Sequence, residues 1–123
     1  MKLNKIGEII LENNGYTIST EAKTRDLVNI FNQKNVQSIV VLKDYKPVGL
    51  VMRDKLFYRL GSRFGYNLYM QKSIVDVMDS SPLVVDYNQC IFEVSKLVTA
   101  RAQEDIYDSV IVTRNNKYYS TIS

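Results

Sequence analysis

Ser38-Ile39-Val40-Val41-Leu42-Lys43-Asp44-Tyr45-Lys46 is a short apolar, β-branched run that ends in a polar turn. It lines up without a gap, 71 positions later, with Ser109-Val110-Ile111-Val112-Thr113-Arg114-Asn115-Asn116-Lys117. Runs of this length, bounded by Asp, Asn and Lys, read as buried strands entering tight hairpins. After each turn the register holds, with Pro47-Val48-Gly49-Leu50-Val51-Met52 standing opposite Tyr118-Tyr119-Ser120-Thr121-Ile122-Ser123. The chain carries one strand-turn-strand unit twice, and an internal repeat of this kind decides the architecture.

Upstream, the correspondence continues at a smaller offset. Leu27, Ile30 and Phe31 match Val94, Leu97 and Val98 at 67 positions, both triplets spaced i, i+3, i+4. That spacing predicts an amphipathic helix, with Asp26, Asn29 and Gln33 facing water in the first copy and Glu93 and Lys96 in the second. The offset grows by four between helix and strand, so residues 101–106 hold a loop insertion. Thr17-Ile18 matches Val84-Val85, and Ile6-Gly7-Glu8-Ile9-Ile10 matches Ile74-Val75-Asp76-Val77-Met78. Each unit reads lead-in turn, strand, helix, strand, hairpin strand. Neither half alone buries much surface, so the two are expected to pack around a pseudo-twofold axis with a ligand groove between them.

Composition narrows the chemistry. Sixteen basic against 13 acidic residues leave +3 on 123 residues, an ordinary solvated surface rather than a nucleic-acid or membrane-binding one. With 46% hydrophobic residues the chain can build a core without disulfides or metal. There are no histidines and a single cysteine, Cys90, which excludes Ser-His and Cys-His nucleophilic pairs, His-containing zinc sites and thiolate cages. No apolar stretch approaches the roughly 18 residues of a transmembrane helix, and the start lacks a signal-peptide pattern. The expectation is a soluble, cytoplasmic protein, with Cys90 structural.

Paired carboxylates, Asp76 with Asp79 and Glu104 with Asp105, lack a third ligand or a Gly-rich phosphate loop beside them. No catalysis is expected. Asp76, in the lead-in turn, is expected to accept backbone hydrogen bonds near a helix start. Tyr118-Tyr119, Tyr66 and Tyr69 read as packing residues, because only Arg114 and Lys117 lie near the strand pair and base-stacking platforms need denser positive charge.

On Val75-Asp76-Val77-Met78 before Pro82-Leu83-Val84-Val85, and on Pro47-Val48-Gly49-Leu50-Val51 opening a helix, the sequence resembles a CBS-domain pair (Bateman module) over nearly its whole length. Gly49-Leu50-Val51-Met52-Arg53-Asp54-Lys55-Leu56, followed by Leu60-Gly61-Ser62, Phe64-Gly65-Tyr66 and Leu68-Tyr69, is similar to pairs that accompany GGDEF or EAL domains in bacterial cyclic-di-GMP signalling proteins. The resemblance implies an α/β (α+β) fold of tandem repeats, each strand-helix-strand-strand-helix. It divides the chain into residues 1–66 with their lead-in and residues 67–123. Since Ser123 stands opposite Met52, the final helix of the second repeat is expected to be missing.

The same resemblance implies a regulatory, non-enzymatic module that senses an adenine nucleotide or other nucleotide in the inter-repeat cleft. Homodimerisation and a fused output domain are implied with it, and no metal, nucleic acid or membrane contact. The implied ligand residues are Ile18, Met52, Arg53, Lys55, Val85 and Ser123. Family members grip the ribose with a Thr or Ser that ends the hairpin strand and an Asp three residues later; Met52 and Lys55 stand in those places here and do neither job. Ser123 keeps the hydroxyl. Lys55, Arg59 and Arg63, four residues apart, form a candidate anion-binding stripe if the helix runs that far. A ligand-free dimerisation scaffold is the alternative.

Overall fold

Both hairpins form, and they form alike. The computed structural model describes residues 4–123. Strands β2 (Ser38–Lys43) and β3 (Lys46–Met52) pair antiparallel, as do β5 (Val110–Arg114) and β6 (Lys117–Ile122). Asp44 and Tyr45 turn with φ of 52° and 66°, and Asn115 and Asn116 with 55° and 64°. Positive φ at both central residues is the two-residue turn that matches strand twist. Each ladder shifts register once, at Val41/Leu42 and at Val112/Thr113, again 71 residues apart. Parallel partners β1 (Tyr16–Ser19) and β4 (Val84–Asp86) complete two three-stranded sheets of order β1-β2-β3 and β4-β5-β6.

Helices α1 (Thr24–Gln33) and α4 (Ile91–Thr99) make the crossovers. In α1, Leu27, Val28 and Phe31 are buried, and the Asp26 carboxylate accepts the Lys23 backbone N–H at 2.8 Å to close the first turn. In α4, Val94 is buried and Val98 half-buried, but Leu97 is 41% exposed, against expectation, because α4 meets its sheet along a narrower stripe. Helix α2 (Arg53–Leu60) leaves β3 directly and lays Leu56 and Leu60 on Leu27, Phe31 and Val51. A short helix α3 (Gly65–Tyr69), which the periodicity did not reveal, follows it.

The lead-ins change places. Ile6, in the 3₁₀ turn Ile6–Ile9, donates to the Gln89 carbonyl at 2.7 Å and enters the core of Val85, Val94, Val110 and Val112. Conversely, Ile74, in the turn Ile74–Asp76, donates to the Ala22 carbonyl at 3.2 Å and joins the core of Leu27, Phe31, Ile39 and Val41, with Val77 beside it. Each lead-in therefore caps the core of the other unit. Asp76 is exposed and its carboxylate caps nothing; Ser73 Oγ accepts the Val75 N–H instead, since it precedes the turn.

Equivalent residues in direct contact must straddle the axis that relates them. Ser38 Oγ and Ser109 Oγ share a buried hydrogen bond of 2.8 Å, and Val40 packs with Ile111 and Leu50 in a third apolar cluster between the sheets. The pseudo-twofold axis passes through these pairs. Among the described residues no helix follows β6. Where α2 covers the first unit, the second keeps an apolar groove of about 280 Å³ lined by Ile6, Ile91, Val94, Val98, Val110 and Ile122.

Candidate functional site

The axis gives two related clefts between the units, and seven positions of their linings correspond. One has Leu50, Met52, Ser81, Pro82, Leu83, Ala102 and Asp108 on its walls. The other has Thr121, Ser123, Asn14, Gly15, Tyr16, Asn35 and Gln37 at the matching positions, around about 220 Å³. The second cleft is lined by uncharged groups, whereas the first is crowded with charge.

Lys55, on the first turn of α2, reaches across the first cleft. Its Nζ lies 2.6 Å from Asp105 Oδ1 and 2.8 Å from Asp108 Oδ2 on the opposite unit. Burial works to lower the Lys55 pKa, but hydrogen bonds and charge attraction from the two aspartates outweigh it and raise the pKa above its ordinary value. The ion pairs stand between two chambers of about 270 and 260 Å³ that share Leu50, Asp79 and Asp108. Arg59 lines the first chamber and Arg101 the second. Arg101 Nη2 donates to the Ile106 carbonyl at 3.0 Å, while its buried Nε and Nη1 find no acceptor among the described residues.

The implied ligand residues do not converge. Lys55 and Met52 line the first cleft and Ser123 the second. Ile18 and Val85 sit in the cores of their own units, because β1 and β4 turn these side chains toward α1 and α4 rather than toward the partner sheet. Arg53 bends away from the cleft, donates to the Phe31 carbonyl and lies over the Phe31 and Phe57 rings at 5.8 and 5.4 Å. The basic stripe is shorter than its spacing proposed. Helix α2 ends at Leu60, Phe64 reverses the chain at φ 69°, and Arg63 stacks on Phe64 instead of following Lys55 and Arg59. The sequence marks neither Asp108 nor Arg101, and marks Asp105 only as half of a carboxylate pair with Glu104. The usable signals were a lysine in the carboxylate's place and an acidic insertion, residues 101–106, found only in the second unit.

Tyr118 and Tyr119 pack, as expected. Tyr118 is half-buried with its hydroxyl 2.8 Å from Thr121 Oγ1, and Tyr119 meets the Tyr87 ring edge-on at 5.0 Å. Cys90 precedes α4, half-buried, in an isolated bridge with Lys5.

No family model and no curated protein matches the sequence. Solved structures do match the fold. CBSX2, a CBS-pair protein from Arabidopsis thaliana, superposes with a TM-score of 0.79 at 18% identity over 99% of this chain and 89% of its own. This chain has the fold of a CBS-domain pair. A CBS domain-containing protein from Bacillus anthracis str. Ames Ancestor gives a TM-score of 0.77 at 12% identity over 97% of this chain and 86% of that one. The CBSX2 structure in complex with AMP gives 0.77 at 18% identity, covering 98% and 90%. In CBS-pair terms, the two clefts lie between the repeats, and Lys55 stands on the helix that follows the first hairpin. Among the described residues no helix is long and apolar enough to cross a membrane.

Proposed function

We propose that this CBS pair is a regulatory module, not an enzyme, that binds an adenine nucleotide between its repeats and passes the resulting change of geometry to a signalling output. The observation that carries this reading is the pseudo-twofold pair of inter-repeat clefts, in a fold shared with a protein solved in complex with AMP. A ligand between the units shifts their relative orientation by no more than its difference in affinity for the two arrangements. In this reading the module works in the cytoplasm as a homodimer, with a GGDEF- or EAL-type output domain; the stretch from Gly49 to Tyr69 supports that context.

Thermal-shift measurements with AMP, ATP, S-adenosylmethionine and cyclic dinucleotides test it. A ligand at a hundred times its dissociation constant adds about 2.7 kcal/mol of stability. Silence across the panel sinks the nucleotide reading.

Two observations favour a second reading, the ligand-free dimerisation scaffold. Lys55 bridges the first cleft, and Tyr58, Phe64, Tyr66 and Leu68 leave an apolar surface exposed along α2 and α3. Light scattering that finds a dimer unchanged by any ligand decides for the scaffold.

A further inference from the structure

We infer that Lys55 is an autoinhibitory gate on the first cleft, its ammonium standing where a nucleotide has to lie, so that the ligand enters by displacing it from Asp105 and Asp108. The inference rests on the nucleotide reading above and adds the regulation of that site.

Cavity size is the first ground. Small-molecule pockets generally span about 300–1,000 Å³. The two chambers of about 270 and 260 Å³ lie at the lower edge of that range, and they share the walls Leu50, Asp79 and Asp108 on either side of the ion pairs. Lys55 lines the first chamber, its partner Asp105 the second and Asp108 both, so a ligand spanning the two would have to cross the ion pairs. The second ground is asymmetry. Asp105 belongs to the insertion that the first unit lacks, and Gln37 stands in the second cleft where Asp108 stands in the first, so only the first cleft is barred. The third is the split grip on Lys55: it and Asp105 are 46% and 42% exposed, a setting in which an ion pair is weak, while Asp108, 9% exposed, is the partner whose charge the ligand's entry leaves behind.

Titration calorimetry with AMP on three full chains tests the gate: the natural sequence, Lys55→Met, and the double variant Asp105→Asn/Asp108→Asn. Both variants should bind AMP about fivefold more tightly, and backbone amides of residues 101–109 should exchange hydrogen faster in both without ligand. If Lys55→Met weakens binding while the double variant strengthens it, Lys55 is a phosphate ligand and the gate is wrong. Equal affinities in all three chains also overturn it and leave the nucleotide reading standing. No AMP bound by any of the three chains removes the nucleotide reading and the gate with it, whatever the exchange rates.

Discussion

Ser38 and Ser109 hold the same place in the two repeats and spend their hydroxyls on each other, 2.8 Å apart and out of reach of water. Removing one hydroxyl strands the other, which costs roughly 1–3 kcal/mol, whereas removing both leaves nothing unpaired. Urea denaturation should show Ser38→Ala and Ser109→Ala each destabilising by about that amount and the double variant costing clearly less than their sum. Strict additivity would mean the bond carries no coupling. Lys55 makes a pH prediction. Its pKa is raised in the folded chain, so the ion pairs' stabilisation is complete below the ordinary lysine value of about 10.4 and is lost as pH climbs through the raised one. Tyr118, raised by burial of its hydroxyl, acts in the same direction. The alkaline fall in stability should therefore shrink in Lys55→Met and shrink further with Tyr118→Phe added, as followed by thermal unfolding between pH 8 and 11. An undiminished fall in Lys55→Met would show that its ion pairs contribute nothing. Both serines stood in the repeat itself, so their equivalence was legible; the partners of Lys55 were not, because 50 and 53 residues of chain separate them from it and only the fold brings them together.

Among the elements, the hairpins were read correctly because strand and turn preferences are local, written in β-branched runs and turn residues only a few positions apart. The turns also differ instructively. Asn115-Asn116 tolerates positive φ, but Tyr45 adopts 66° with a full side chain, a conformation that costs an ordinary residue about 1–2 kcal/mol. Tyr45→Gly should therefore stabilise the chain by roughly 0.5–1 kcal/mol after the glycine's larger unfolded entropy is subtracted, and Asn116→Gly by visibly less. Matching gains at the two sites, measured as shifts in denaturation midpoint, would contradict this account. The exchanged lead-ins were beyond sequence reading. A single 3₁₀ turn has no periodicity, and its destination is fixed by long-range bonds such as Gly7 N–H to the Tyr87 carbonyl, 3.0 Å. Gly7 is there because a Cβ would stand 1.9 Å from a Tyr87 ring carbon, and that ring is wedged between Tyr119 and the Arg114 guanidinium. Gly7→Ala should cost about 1–3 kcal/mol by overpacking. A neutral result would mean the ring moves freely and the lead-in is not seated there.

For the whole molecule, the exchange has a thermodynamic consequence that two merely adjacent repeats would escape. Ile74 and Val77 complete the first unit's core and Ile6 the second's, while Val40, Leu50 and Ile111 belong to neither alone. When either unit unfolds it withdraws its lead-in from the other and uncovers the shared cluster. The units should then melt as one. Leu27 in the first core and Val112 in the second are both fully buried, and truncating such residues to alanine costs about 2–5 kcal/mol for leucine and somewhat less for valine. That is a large share of the 5–15 kcal/mol expected for a domain of this size. In urea titrations followed by resolved amide signals from both units, Leu27→Ala should lower the midpoint of β4–β6 as much as that of β1–β3, and Val112→Ala should do the same in the other direction. Were the damaged unit to melt early while its neighbour kept the natural midpoint, the exchanged segments would be passive links. A ligand between the repeats would then have no rigid pair to reorient, and the regulatory reading would lose its mechanical basis.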